Sequence, residues 1–239
     1  MNRFFTTEIL QNGTARISGE DVKHIAKVLR LKPGDSVEIC DARGRECEAK
    51  IISIVSDFVM LKTGEWTESK SEPRHKITLF QCVPKAGKLE IIIQKCVELG
   101  IMRIVPVLSA RCLPVSKSDF DRRLARYQRV SLEAAKQSKR GIIPQIKPLQ
   151  RIDELDLGGF DTLLMAYEGE TERTLKQAIG GCDIGGRIAL IIGPEGGFDP
   201  KEVAGLQELG AIAVSLGPRI LRTETAGMAM LAQVMYEVE

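Results

Sequence analysis

The sequence predicts an α/β protein in two parts, a small β-barrel over residues 1–72 and a parallel sheet covered by helices over residues 73–239. Three observations predict it. Near Lys76 the hydrophobic pattern changes from short strand-like runs to strands separated by helical periods. Strands that alternate with helices imply a parallel sheet buried on both faces. Ahead of that change, turn signals at "NG", "KPGD" and "ARGR" divide the chain into short pieces.

Taken in order, "RFFTTEI", "SVEICD", "ECEAKIISIV" and "FVMLKTG" read as strands. They are interrupted by one helix, "GEDVKHIAKVLR", with Val22, Ile25 and Leu29 at helical spacing. "TESKSEPRH", polar with one proline, is the expected linker. "KITLFQCV" is then a strand, "KLEIIIQKCVELG" a helix stopped by Gly100, and "RIVPVLS" a strand. A long basic helix, "SDFDRRLARYQRVSLEAAKQSKR", follows with Ser118 as its N-cap. The strands "DTLLMAYE", "RIALIIG" and "AIAVSLG" are separated by the helices "TERTLKQAIG" and "DPKEVAGLQELG". In the second helix Asp199 caps, Pro200 opens the first turn, Glu202 favours the dipole and Gly210 stops the chain.

At 239 residues, 44% hydrophobic and 28% charged, the chain can bury a core without staples. Its six cysteines (Cys40, Cys47, Cys82, Cys96, Cys112, Cys182) form no CxxC pair, and His24 and His75 are the only histidines. Reduced thiols in a cytoplasmic protein are expected, with no metal site. The N-terminus has no signal-like apolar stretch, and no run approaches the ~20 residues of a membrane span. Charge is uneven: residues 1–72 carry a net −1, residues 73–151 a net +12 and residues 152–239 a net −9. The basic middle would draw a polyanion such as RNA, or else pair with the acidic third.

Ligands of open α/β sheets sit beyond the carboxyl ends of the strands. Here those loops are "AYEGE", "GPEGGFDP" and "GPRILRTETAG". The second is neither a Walker loop nor GxGxxG, and alone it is an ordinary glycine turn. Two consecutive strands, however, both end in Gly-Pro and lead into polar residues.

"LIIGPEGGF" followed about twenty residues later by "LGPRILRTETA" resembles the signature of the SPOUT-class RNA methyltransferases. More narrowly, it is similar to the family that methylates N3 of a uridine in small-subunit (16S) ribosomal RNA. The resemblance takes in "RFF", "HIAKVLRLKPGD", "ARGRECEAKI", "KLEIIIQKCVELG" and "EAAKQSKRGIIPQI", and so nearly the whole chain. It implies an N-terminal PUA-like barrel for RNA, a C-terminal domain with a trefoil knot, S-adenosylmethionine as methyl donor, and a homodimer. By position, the cofactor pocket would comprise Ala166, Tyr167, Gly193, Pro194, Glu195, Gly196, Gly197, Leu216, Gly217, Ile220, Leu221 and Thr225.

A uridine N3 carries a proton, so the base must be unpaired and the proton accepted. Glu224 is the candidate acceptor, or else a first-turn carboxylate on the helix dipole. Arg222 is the candidate stabiliser of the uridine anion or of a phosphate, or else the partner of Glu224. Glu195 could bond the cofactor or hold its own loop. Expected RNA contacts are Arg3, Arg30, Lys32, Lys136, Lys139 and Arg140, on ribosomal RNA or the small subunit. Phe4, Phe5 and His24 rank below them. In "TAGMAMLAQVMYEV" the apolar residues circle the helix, which alone would suit a helix buried within one monomer; with the homodimer that the resemblance implies, one face would meet the core and another a second chain. The alternatives are another target for the same chemistry, a ribose 2′-hydroxyl or transfer RNA, and an RNA-binding assembly factor without turnover.

Overall fold

A computed structural model describes residues 1–85, 87–180 and 186–238, so Cys182 lies outside the described residues. The chain forms two compact units. One comprises Met1–Glu72 and Ala135–Ile143, the other Pro73–Ala134 and Pro144–Glu239.

The first unit contains β1 (Arg3–Phe5), β2 (Glu8–Leu10), β3 (Thr14–Ser18), α1 (Glu20–Lys23), β4 (Ser36–Cys40), β5 (Arg45–Ile54), β6 (Phe58–Thr63) and β7 (Thr67–Glu68). Its sheet runs β1-β4-β5-β6-β3-β2, with β7 on β5. Only Thr6 and Thr7 join β1 to β2, a link that spans at most about 10 Å. These strands nevertheless end opposite sides of the pairing order, so the sheet has to curl until its edges meet. Thr6 bridges them: its N–H donates to the Cys40 carbonyl at 2.9 Å and its hydroxyl to the Arg16 carbonyl at 2.5 Å. Along β5, Cys47, Ala49 and Ile51 are buried while Glu48 and Lys50 face out, the alternation of a half-buried strand. Phe4, Ile17, Ile25, Val37, Ile39, Val59 and Leu61 fill the barrel.

Three local expectations change. "RFFTTEI" is two strands, broken where Thr6 turns to its two carbonyls, and β3 is an additional strand. The expected helix is α-helical only to Lys23 and continues through His24–Val28 as a π-helical turn. There the Leu29 N–H reaches the His24 carbonyl at 2.9 Å, and Arg30 closes the turn at φ 53°. The expected linker is partly structured. Thr67–Glu68 pairs with β5, and the Glu72 carboxylate accepts from Arg140 Nε (2.9 Å) and Nη2 (2.7 Å) and from the N–H groups of Gly141 (2.7 Å) and Ile142 (3.2 Å). Residues 135–143 thereby join the first unit, although their sequence continues the basic helix.

The second unit contains β8 (Lys76–Cys82), α2 (Leu89–Glu98), β9 (Arg103–Leu108), most of α3 (Lys117–Gln137), β10 (Gln145–Ile146), β11 (Gln150–Arg151), β12 (Thr162–Ala166), α4 (Leu175–Ile179), β13 (Arg187–Ile192), α5 (Pro200–Glu208), β14 (Ile212–Val214) and α6 (Thr223–Val238). The sheet is parallel throughout, ordered β10-β9-β8-β13-β12-β14, with β11 also on β9. Every residue of Ile188–Ile192 is buried, as a strand covered on both faces requires. One face packs Val203 and Leu206 of α5 over Phe80, Val105, Met165 and Ile191. Helix α6 packs on β13, α2 and α4.

Punctuation of α5 matches expectation: Asp199 accepts from the Lys201 N–H at 3.0 Å, Glu202 accepts from the Asp199 N–H at 2.9 Å, and Gly210 takes φ 92°. On α3 the cap shifts by two residues. Ser116, not Ser118, accepts from the Asp119 N–H at 3.1 Å. Because β8, β13, β12 and β14 are successive parallel neighbours, Cys82, Ile192, Ala166 and Val214 all end at one edge of the sheet.

Candidate functional site

At that edge the loops after four strands meet. The loop after β12 reaches the one after β14 through Tyr167 N–H to Val214 O (3.1 Å), Leu175 N–H to Ser215 O (3.3 Å) and Ser215 N–H to Arg173 O (2.9 Å). It also reaches the loop after β13, where Glu168 Oε1 lies against Gly197. The Thr223 hydroxyl, at the start of α6, donates to the Gly193 carbonyl at 2.6 Å. The loop after β8 joins through the Lys85 N–H, which donates to Glu195 Oε1 at 2.9 Å. Arg111 steadies the glycine turn by donating to the Gly196 carbonyl at 3.0 Å.

The structure brings the expected pocket residues together around this convergence. Ala166, Tyr167, Gly193, Gly197, Leu216 and Leu221 are half-buried, and Pro194 is buried. Gly196, Gly217, Thr225 and Ile220 line its open side, Ile220 being 90% exposed. Gly197 sits at φ 69° and Gly217 at φ 113°, backbone shapes that side chains resist.

Glu224 and Arg222 stand at the first turn of α6. Arg222 is exposed, and its carbonyl accepts from the Thr225 and Ala226 N–H groups, both at 2.8 Å. Glu224 is paired by a residue that sequence reasoning missed. Lys88 Nζ lies 2.9 Å from Glu224 Oε1 and 4.0 Å from Glu195 Oε1. The hydrogen bond from Lys88, the Glu224 N–H and the charges of Lys88 and Arg222 together hold the Glu224 carboxyl below the ordinary glutamate value. Glu224 Oε2 is buried and has no hydrogen-bond partner among the described residues. The trio joins Lys88, the residue before α2, to Glu195 of the glycine turn and Glu224 of α6, 107 and 136 residues further along the chain. No local motif could reveal it.

The expected RNA contacts divide. Arg3 and Arg140 are corrected: both guanidinium groups are committed inside the first unit. Arg3 is paired with Glu38 (3.0 Å) and Glu46 (2.9 Å) and donates to the carbonyls of Lys139 and Arg140. Arg140 is held by Glu72, with its side chain 3% exposed. Lys136 is drawn to Asp21 at 2.8 Å. Arg30, Lys32 and Lys139 are exposed on the first unit, Lys139 at φ 58°. Phe4 is core and packs edge-on to His24.

Cys40, Cys47, Cys82 and Cys96 are buried, and all the described cysteines are free thiols. Burial pushes Cys40 and Cys96 up to about 12. Cys112, hydrogen-bonded with Cys82 and with Ser109, is drawn down to about 6. Among the described residues no group of three or more metal-ligating side chains is assembled, and no helix is long and apolar enough to cross a membrane.

Two family models match the chain, an RNA methyltransferase domain over residues 70–235 and an RNA methyltransferase PUA domain over residues 17–60. The chain is 32% identical to ribosomal RNA small subunit methyltransferase E of Bacillus subtilis over 250 residues, covering 100% of this chain and 98% of that relative. It is 30% identical to the protein of the same name from Mesomycoplasma hyopneumoniae, covering 99% and 100%. Among solved structures it is similar to ribosomal RNA small subunit methyltransferase E from Neisseria gonorrhoeae bound to S-adenosyl methionine. That match has a TM-score of 0.84 and 30% identity, and covers 99% of this chain and 97% of the other.

Proposed function

Because the chain belongs to the RNA methyltransferase family, we propose that it transfers a methyl group from S-adenosylmethionine to N3 of a uridine in small-subunit ribosomal RNA. The observation that carries this reading is the meeting of the loops after β8, β12, β13 and β14, tied by the Thr223 hydroxyl to the Gly193 carbonyl. The residues fit the cofactor. Gly193, Gly196, Gly197 and Gly217 present main chain with no side chain over it, and Leu216 and Ile220 offer apolar surface. In this reading Ala166, Tyr167, Gly193 to Gly197, Leu216, Gly217, Ile220, Leu221 and Thr225 hold S-adenosylmethionine, which supplies an electrophilic methyl on a good leaving group.

The chain's own task is then to align the acceptor, keep it dry and take its proton. Glu224 Oε2 accepts the N3 proton, and the exposed guanidinium of Arg222 steadies the negative charge on the uracil oxygens or a neighbouring phosphate. Lys88 keeps Glu224 ionised for that task. The SPOUT threading of the segment between β13 and α6 as a trefoil knot, and a cytoplasmic location, belong to the same proposal.

We further propose a homodimer through the outer side of α6. Tyr236 is 87% exposed, and Ala232 and Tyr236 line a groove of about 380 Å³ with Leu175 and Ile179 of α4.

Tritiated methyl transfer into 30S subunits and into transfer RNA, followed by digestion to nucleosides, tests the reading. Label in N3-methyluridine from 30S subunits is expected; label in 2′-O-methyl nucleosides or in transfer RNA alone overturns it. For RNA contact, the exposed cations of the first unit replace the committed ones. Changing Arg30, Lys32 and Lys139 together to Ala is expected to lower RNA affinity. The log–log salt slope should fall by about 2 to 3, since each phosphate contact accounts for about 0.7 to 0.9. An unchanged slope in filter binding removes these residues from the interface.

A further inference from the structure

We infer that Gln81 is a positioning residue of the cofactor cradle: its amide sets the direction of the Thr223 hydroxyl, and through it fixes the Gly193 carbonyl. The inference rests on the S-adenosylmethionine reading above and names a residue that makes none of the expected ligand contacts.

Gln81 is fully buried near the end of β8, in the register position opposite Ile192, the residue before Gly193. A primary amide in such a place costs stability unless it is bonded. Its Nε2 donates to the Cys82 carbonyl at 3.0 Å and to Thr223 Oγ1 at 2.9 Å. Thr223, itself buried, donates to the Gly193 carbonyl at 2.6 Å. The directions are forced. A carbonyl can only accept, and a threonine hydroxyl has one proton, already given to Gly193. Both neighbours of the Gln81 amide are therefore acceptors and must meet its NH₂ group.

The other end of the amide explains a second feature. Gln81 Oε1 has no partner among the described residues and lies where a side chain on residue 227 would begin, 2.9 Å from an ideal Cβ on Gly227. Glycine at 227 lets α6 approach β8 closely enough for Thr223 to reach both partners. One buried side chain thus ties the first turn of α6, which carries Glu224 and Thr225, to the turn that opens at Gly193.

Gln81→Glu tests the direction with almost no change of shape. A glutamate offers one proton at most where the amide offers two, so it cannot meet both the Cys82 carbonyl and Thr223 Oγ1, and where ionised it also draws the Thr223 proton from the Gly193 carbonyl. Calorimetric titration with S-adenosylmethionine is expected to show about tenfold or weaker binding for Gln81→Glu and for Thr223→Val, in line with the penalty for an unsatisfied buried group. Thr223→Ser, which keeps the hydroxyl, should bind as wild type, and RNA affinity should hold within about twofold in all variants. The double variant Gln81→Glu/Thr223→Val should bind no more weakly than Thr223→Val alone, because Gln81 acts through that hydroxyl. Wild-type affinity in Gln81→Glu, losses that multiply in the double variant, or equal loss of RNA binding overturns the proposal while leaving the methyltransferase reading intact. Wild-type protein that binds no S-adenosylmethionine overturns both.

Discussion

Replacing Gly197 with valine is expected to abolish measurable S-adenosylmethionine binding, a loss of at least about 100-fold, while the chain still folds. The left-handed backbone alone costs a non-glycine residue about 1–2 kcal/mol, and a β-branched side chain resists it further. Gly197 sits at φ 69°, and a Cβ there would lie 2.1 Å from Glu168 Oε1. Glu168 would have to swing away, loosening the contact between the loops after β12 and β13. Relaxing the backbone instead would move the Gly193 turn. Gly196 is the contrast: it is not left-handed, and its Cβ would make an ordinary 3.5 Å contact with Arg111. Gly196→Ala should therefore leave the loop's backbone in place, so that any loss of affinity there reports contact with the cofactor itself. Calorimetry reads both variants, and full affinity in Gly197→Val would mean that the segment is only a turn.

Glu224→Gln is expected to lower kcat by about 10²- to 10³-fold, the usual scale for a positioned proton acceptor, with cofactor affinity retained. The pH profile adds an independent reading. Lys88 donates to Glu224 Oε1 and, with the Glu224 N–H and the charge of Arg222, holds the carboxyl below its ordinary 4.5. A depressed carboxyl stays ionised as pH falls, so the acid limb of kcat that reports Glu224 should lie below 4.5. Lys88→Met removes the main cause and should move that limb upward, with a smaller loss at neutral pH. A kcat unchanged in Glu224→Gln, or a limb that stays put in Lys88→Met, removes Glu224 from the proton path.

The parallel sheet was legible because its strands are buried on both sides: "IALII" is an unbroken apolar run and "ITLFQC" a mostly apolar one, with neither showing the alternation of a half-exposed strand. The cap of α5 was legible because Asp199, Pro200 and Glu202 act within one turn. The two glycine turns stood out because strand, Gly-Pro and polar loop recur in order. What could not be read depends on distant partners. Lys88 looks like any surface lysine until Glu195 and Glu224 fold beside it, and Gln81 is one of three polar letters in β8, with nothing nearby to mark it. Arg3 and Arg140 looked like solvent cations, since nothing near either announces the carboxylates that take them inward. Ser116 and Ser118 offer the same capping hydroxyl two residues apart, a choice made by the geometry of the turn.

The return of residues 135–143 to the first unit bears on how the chain is made. On a growing polypeptide, the first seventy-odd residues emerge with Glu72 lacking Arg140, and Arg3 lacking the carbonyls of Lys139 and Arg140. The barrel therefore reaches its final set of bonds only after the early strands and helices of the other unit have been synthesised. An N-terminal fragment cut after residue 72 would carry Glu72 without its cation, and Arg3, still paired with Glu38 and Glu46, without two of its carbonyl acceptors. Excision of this region as a free-standing module therefore needs the 135–143 segment supplied with it.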